Sequence, residues 1–168
     1  EQLAVLLLAL GRVREAMTVC RKALPYADRT SSPGLIVTYG RLLVQAGRLA
    51  EAKNVLGRVR ACDREGHDGG PGCRTTEAET ELGLIALNEK KPHEAAKHLI
   101  AASKVQRCCH SITSGLPLNL ARKLLVMGDT DTVIAYCRTA SSEFSPGQKE
   151  TKDLLNRALA TRGRPVGK

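Results

Sequence analysis

The sequence is poor in aromatic side chains, which make up 2% of its 168 residues, and it has no tryptophan. Its apolar residues are mostly leucine, alanine and valine, and leucine and alanine are good helix formers. A β-sandwich usually uses more aromatic and β-branched residues. The composition therefore favours an all-α fold packed from aliphatic and small side chains. It also argues against a platform on which single-stranded nucleic acid stacks.

The sequence has no pattern of residues typical of an enzyme or a metal site. His93 and His98 are five residues apart on one predicted helix, which places them about 140° apart around it. A two-ligand site would use a spacing of four. The glycine-rich stretch 64–73 lacks the GK[ST] of a phosphate-binding loop, and no cysteine pair forms CxxC. We therefore predict a non-enzymatic protein with no cofactor and no metal, in which each histidine is solvated.

The six cysteines fall into two groups. Cys20 and Cys137 lie on apolar helix faces, where a free cysteine behaves as a small hydrophobic residue. The other four stand near predicted loops, and for them zinc binding and a disulfide are less favoured alternatives to incidental thiols: Cys62, Cys73, Cys108 and Cys109. Unpaired thiols fit a reducing compartment best, so we expect the protein to be cytoplasmic.

No segment of the sequence is long and apolar enough to span a bilayer. The run LAVLLLAL at 3–10 is apolar, but it is too short to cross a membrane and has no basic residues before it. We predict that this run is a buried first helix, and we expect no membrane partner.

The net charge is +9, which favours polyanionic partners without determining the fold. The basic residues are spread along the chain except for a cluster near its end: Arg157, Arg162, Arg164 and Lys168. This cluster is interpreted as a solvated tail, with a patch for nucleic acid or an acidic partner as the alternative.

The strongest positive feature is an internal repeat. The stretch 40–59 predicts two short helices joined at Gly47, with Leu42, Leu43 and Ala46 on one side of the first helix. The turn sequence GRLAEA at 47–52 resembles GRVREA at 11–16, and the two lie 36 residues apart. A third match, Glu94-Ala95, and a degenerate fourth unit with its turn at Gly128 follow. Such hairpins cannot bury their own apolar faces and must stack on copies of themselves.

These repeats predict a single domain at 1–162. Its four units lie at about 1–28, 32–63, 75–106 and 116–143, followed by a capping helix at 146–161 and a basic tail at 163–168. The stretches 64–73 and 108–115 are predicted loops between units. Thr75 or Thr76 is the predicted N-cap of the fifth helix, with Glu79 completing a capping box.

The sequence resembles the tetratricopeptide repeat family. The resemblance rests on small residues in first helices, glycines at the turns, and alanines in second helices: Gly40, Gly83, Gly11, Gly47, Gly128, Ala16, Ala52 and Ala95. It implies a right-handed α-solenoid whose first helices line a concave groove that binds peptides or protein segments. The Lys/Asn/Arg clamp known in the family is not matched here. Candidates for partner binding in the groove are Arg41, Gln45, Leu84, Asn88, Asn119 and Arg122.

The favoured function is thus a scaffold or adaptor that binds a protein or peptide partner in the groove. A second hypothesis is a nucleic-acid-associated repeat protein that uses its basic surface. The chain begins with Glu1 rather than methionine, which motivates a third hypothesis, the accessory repeat region of a larger enzyme or regulator.

Overall fold

The chain folds into α-helices packed in pairs. The computed structural model describes residues 1–30, 33–59, 73–105, 117–140 and 148–162. Within these ranges the helices are α1 (Gln2–Ala9), α2 (Val13–Thr30), α3 (Pro33–Gln45), α4 (Leu49–Gly57), α5 (Cys73–Asn88), α6 (Pro92–Val105), α7 (Leu118–Val126), α8 (Thr130–Ala140) and α9 (Gln148–Thr161). No strand occurs among these residues, and the prediction of an all-α fold is confirmed.

The helices stack as successive hairpins. α1 packs on α2, α3 on α4, α5 on α6 and α7 on α8, and each second helix also packs on the first helix of the following hairpin. Neighbouring first helices contact one another, and α9 packs on both α7 and α8, in the place expected of a capping helix. The predicted unit boundaries and the right-handed sense of the solenoid stay predictions. The loop at 108–115, the tail at 163–168 and all of 64–73 except Cys73 lie outside the described residues.

Four hairpin turns share one backbone geometry. The turn residues Gly11, Gly47 and Gly128 have φ of 73°, 73° and 88°, as predicted for left-handed glycines that end helices. At each turn, this residue and the next donate backbone hydrogen bonds to carbonyls three and five residues back, at 2.8–3.0 Å. This is the Schellman pattern, which satisfies the last carbonyls of a helix.

The third turn has the same hydrogen bonds without a glycine. Lys90 has φ of 61°, and its amide donates to Leu87 while that of Lys91 donates to Ala86. A lysine in the left-handed region is strained by its Cβ. The hairpin geometry therefore persists where the sequence does not favour it.

Small residues recur at fixed distances from these turns. Seven residues before each turn residue stand Ala4, Gly40, Gly83 and Ala121, and five residues after it stand Ala16, Ala52, Ala95 and Val133. All eight are buried. Leu56, Val59, Val133 and Cys137 are fully buried as well.

α2 continues to Thr30 and carries Pro25 within the helix. The predicted start of α5 is wrong. α5 begins at Cys73, so Thr75 and Thr76 lie inside its first turn and cannot be its N-cap. The Glu79 side chain turns instead to His98, as described below.

Two predictions of burial are wrong. Ala46 lies on the surface at the end of α3. The apolar run of α1, which the sequence predicts to be buried, is exposed on one side. Ala4 and Leu7 are indeed buried there, but the opposite side of the helix is open because none of the described helices packs on it.

Candidate partner-binding face

The six predicted site residues share one face of the first helices. They stand nine, six or two residues before their turn residue, positions that fall within an arc of about 60° on a helical wheel. Across the four hairpins these positions hold Gln2, Thr38, Glu81 and Asn119, then Val5, Arg41, Leu84 and Arg122, then Ala9, Gln45, Asn88 and Val126. We call these twelve residues the first-helix face. Because neighbouring first helices contact each other, the face is continuous from α1 to α7.

Arg41 is the best-defined polar residue of this face. Its Nε donates a hydrogen bond to Glu81 Oε1 at 2.9 Å, and its Nη2 lies 3.5 Å from Glu77 Oε2. Glu77 is only 5% exposed, so its carboxylate depends on nearby cations for compensation. Arg41 therefore ties α3 to α5 in addition to its predicted role in partner binding.

A second arginine completes this ion-pair network. Arg74, near the start of α5, lies 3.2 Å from Glu77 and 3.4 Å from Glu1, which precedes α1. The first helices α1, α3 and α5 are thus linked by charges along one side. In this part of the face the described positive and negative groups largely compensate each other.

The α7 end of the face differs in charge. Arg122 and Asn119 are both exposed, and Arg122 makes no ion pair with any described residue. A guanidinium that has no ion pair among the described residues can bind a carboxylate in two-pronged geometry. Of the two arginines on the first-helix face, Arg122 is therefore better placed than Arg41 to pair with a partner.

The other predicted residues supply neutral contacts. Gln45 and Asn88 are exposed at equivalent ends of α3 and α5, and each can donate and accept hydrogen bonds. Leu84 is half-buried and packs against the core that α5 shares with α7 and α8, so only part of its side chain is available.

Sequence reasoning missed the α1 part of this face. A concavity of about 810 Å³ lies beside α1, lined mainly by its apolar side chains and bounded by Arg74. Val5, which is 49% exposed, stands 36 residues before Arg41 at the equivalent position. The repeat spacing was therefore a signal that could have extended the face to α1.

A buried acid–histidine pair was also missed. His98 Nδ1 lies 2.7 Å from Glu79 Oε2, and these side chains are 17% and 2% exposed. The prediction that His98 is solvated is wrong, because α6 packs on α5 and brings the ring onto Glu79. The pair lies inside a hairpin and joins its two helices, so it has a structural role.

The described residues offer no group of three metal-ligating side chains. Cys62, Cys108 and Cys109 lie outside those residues, so the zinc and disulfide alternatives for them stay untested. Cys20 and Cys137 are both buried, as predicted for cysteines on apolar helix faces. Across the described helices, none combines the length and apolar character needed to cross a membrane.

The stacked hairpins with their recurring turns define a helical-repeat protein. Residues 7–68, which include the first two turns, match a family model described as tetratricopeptide repeat. The predicted resemblance to this family is confirmed over these residues. No curated protein and no solved structure matches the chain.

Proposed function

We propose that this chain is a non-enzymatic scaffold or adaptor that binds a protein or peptide segment along the first-helix face. Tetratricopeptide repeats generally mediate protein–protein interaction and are typically non-catalytic. The observation that carries the proposal is the continuity of this face over four first helices. Its contact residues are Arg41, Gln45, Leu84, Asn88, Asn119 and Arg122.

The charge distribution suggests how a partner is oriented. Around Arg41 the charges are already paired within the chain, whereas the guanidinium of Arg122 is exposed. An acidic side chain of the partner pairs with Arg122, and uncharged parts of the partner contact Asn88 and Gln45. The proposed location is the cytoplasm, which the free thiol of Cys20 supports.

The test compares two exposed arginines on different surfaces. Arg122 lies on the first-helix face of α7, and Arg138 lies in the last turn of α8, a second helix. A protein recovered by affinity capture from native lysate is purified, and its dissociation constant is measured for the wild type, Arg122→Glu and Arg138→Glu. We expect at least tenfold weaker binding for Arg122→Glu only.

Two results would count against this proposal. Equal effects of the two substitutions would show that binding follows overall charge rather than this face. RNA or DNA binding whose affinity falls steeply with added salt would favour the nucleic-acid hypothesis, especially if both arginines contributed. Arg41 is unsuitable for this test because its loss also breaks the link between α3 and α5.

A further inference from the structure

The second half of α7 carries two cations followed, one turn later, by two apolar side chains. Arg122 and Lys123 stand four residues before Val126 and Met127, so the four side chains lie on one side of the helix. All four are exposed, Val126 at 88% and Met127 at 52%. We call these four residues the α7 patch, and it overlaps the first-helix face at Arg122 and Val126.

The residue types of this patch, rather than its exposure, distinguish it from the earlier first helices. The positions equivalent to Val126 in α3 and α5 are exposed too, but they hold the amides Gln45 and Asn88. The position of Lys123 is occupied in both of those helices by a fully buried aliphatic residue. Compared with α3 and α5, α7 therefore presents an additional cation and an exposed aliphatic side chain.

The acidic residues that follow the patch in the chain are already paired. Asp129 Oδ1 accepts a hydrogen bond from the Thr132 amide at 3.3 Å, at the start of α8. Asp131 Oδ1 lies 3.2 Å from Nη2 of Arg162. The two cations of the patch make no ion pair with any described residue, so their charge is complementary to an anionic group of a partner.

The distance between the charged and apolar parts of the patch determines which partner fits it. Arg122 and Val126 are one turn apart, about 6 Å along the helix axis. In an extended segment, side chains two residues apart point to the same side and lie about 7 Å apart. A carboxylate can therefore reach Arg122 while an aliphatic side chain two residues away covers Val126. A guanidinium favours a carboxylate because the two groups form a pair of parallel hydrogen bonds.

We propose that the α7 patch binds an extended acidic segment of a partner protein, in which Asp or Glu stands two residues from an aliphatic residue. The carboxylate pairs with Arg122 and Lys123, and the aliphatic side chain packs on Val126 and Met127. This inference rests on the proposed function, because it specifies the sequence of the segment that the first-helix face binds.

Selection from random peptides tests the chemistry of the partner. A phage-displayed library of short random peptides is selected on the wild-type chain. We expect the selected peptides to share an acidic residue two positions from an aliphatic one. A separation of three or four positions would indicate a helical partner and would overturn the proposal. Enrichment of basic residues, or the lack of any common pattern, would overturn it too.

Matched substitutions then locate the binding site of a selected peptide. Its dissociation constant is measured by fluorescence anisotropy for the wild type, Arg122→Glu, Val126→Gln, Arg138→Glu and Leu159→Gln. Arg138 is an exposed cation on α8, and Leu159 is a 44% exposed aliphatic residue on α9, so the last two variants change the same classes of side chain on other helices. We expect at least tenfold weaker binding for the two variants of the patch only, with circular dichroism verifying that every variant is folded. Equal losses in the patch variants and the controls would overturn the proposal.

A charge-reversed peptide separates direct contact from a structural effect. Replacing its acidic residue by lysine should abolish binding to the wild type and restore binding to Arg122→Glu. If binding is not restored, Arg122 does not contact the acidic residue and the proposal fails. Selected peptides that lack an acidic residue but are still weakened by Arg122→Glu would overturn this inference and leave the proposed function intact. If no peptide is selected on the folded chain, the proposed function fails as well.

Discussion

Gly40 of α3 lies so close to Leu56 of α4 that a Cβ atom at position 40 would come within 2.5 Å of Leu56 Cδ2. The two helices of this hairpin pack closely at a position where α3 has no side chain. Leu56 is fully buried there. The absence of a side chain at position 40 is therefore a packing requirement rather than a source of backbone freedom.

Gly40→Ala should destabilise the protein. The added methyl group forces Leu56 or the helix axes to shift, and overpacking of this kind costs about 1–3 kcal/mol of the free energy of unfolding. Urea unfolding followed by circular dichroism measures the change. Gly57→Ala is the matched control, because a Cβ at this helical glycine meets nothing within 4 Å. The control should stabilise by about 0.5 kcal/mol through helix propensity, and similar effects of both substitutions would refute this account.

Lys90→Gly should stabilise the third hairpin. Lys90 holds φ of 61° in a turn whose counterparts are glycines, so glycine removes a strain of about 1 kcal/mol while keeping the backbone hydrogen bonds. Gly47→Ala is the reciprocal change and should destabilise by a similar amount. Thermal unfolding of both variants provides the comparison. If Lys90→Gly lowered the midpoint, the lysine side chain would be making a stabilising contact that outweighs its strain.

Features that depend on residues close together in the sequence could be predicted, whereas features that depend on packing between distant segments could not. The turns at Gly47 and Gly128 and the buried Ala52 follow from local repeats, and the structure confirms them. The left-handed Lys90 was not predictable from its residue type, because lysine disfavours that conformation. The stacking of neighbouring hairpins imposes it.

Pairings between helices were beyond the reach of local patterns. Arg41 meets Glu81 forty positions later, and Glu79 meets His98 nineteen positions later, through the rotation of packed helices. Hydrophobicity alone also could not reveal that Leu6 is exposed, since the pattern shows which side chains prefer burial and not whether a neighbour is present. The sequence thus indicated which helical positions form the candidate face, but not which of its charged side chains pair with each other.

Arg41→Gln should weaken the contact between α3 and α5. It removes the hydrogen bond to Glu81 and leaves Arg74 as the remaining cation beside the buried carboxylate of Glu77 among the described residues, at an expected cost of about 1–2 kcal/mol. Urea unfolding at low and high salt measures the cost and its screening. Arg12→Gln is the control, because the Arg12–Glu15 pair is more than half exposed and should contribute nothing measurable. Equal stability of the two variants would show that the Arg41 network does not hold the helices together.

Cys137 should make stability sensitive to alkaline pH. Burial raises the pKa of its thiol from 9.0 to about 11, so between these values the folded chain retains a proton that the unfolded chain releases. The stability associated with the neutral thiol is therefore present below pH 9 and is lost as the pH rises through 11. Urea midpoints at pH 8 and 10 should fall more steeply for the wild type than for Cys137→Ala. If the urea midpoints of the two proteins fell equally between pH 8 and 10, the pKa of the thiol would be the same in the folded and the unfolded chain.

Tyr136→Phe should stabilise the protein, although it deletes a polar group from the core. In the described part of the chain the Tyr136 hydroxyl is buried without a hydrogen-bond partner, and burial raises the pKa of this phenol. Removing an unsatisfied buried group recovers its desolvation penalty, about 1 kcal/mol, while the ring keeps its packing. Tyr39→Phe is the control, because the Tyr39 hydroxyl donates to Glu51 Oε1 at 3.3 Å and its loss should destabilise. Calorimetric midpoints should therefore move in opposite directions, and a lower midpoint for Tyr136→Phe would mean that a bound water or another group satisfies this hydroxyl in solution.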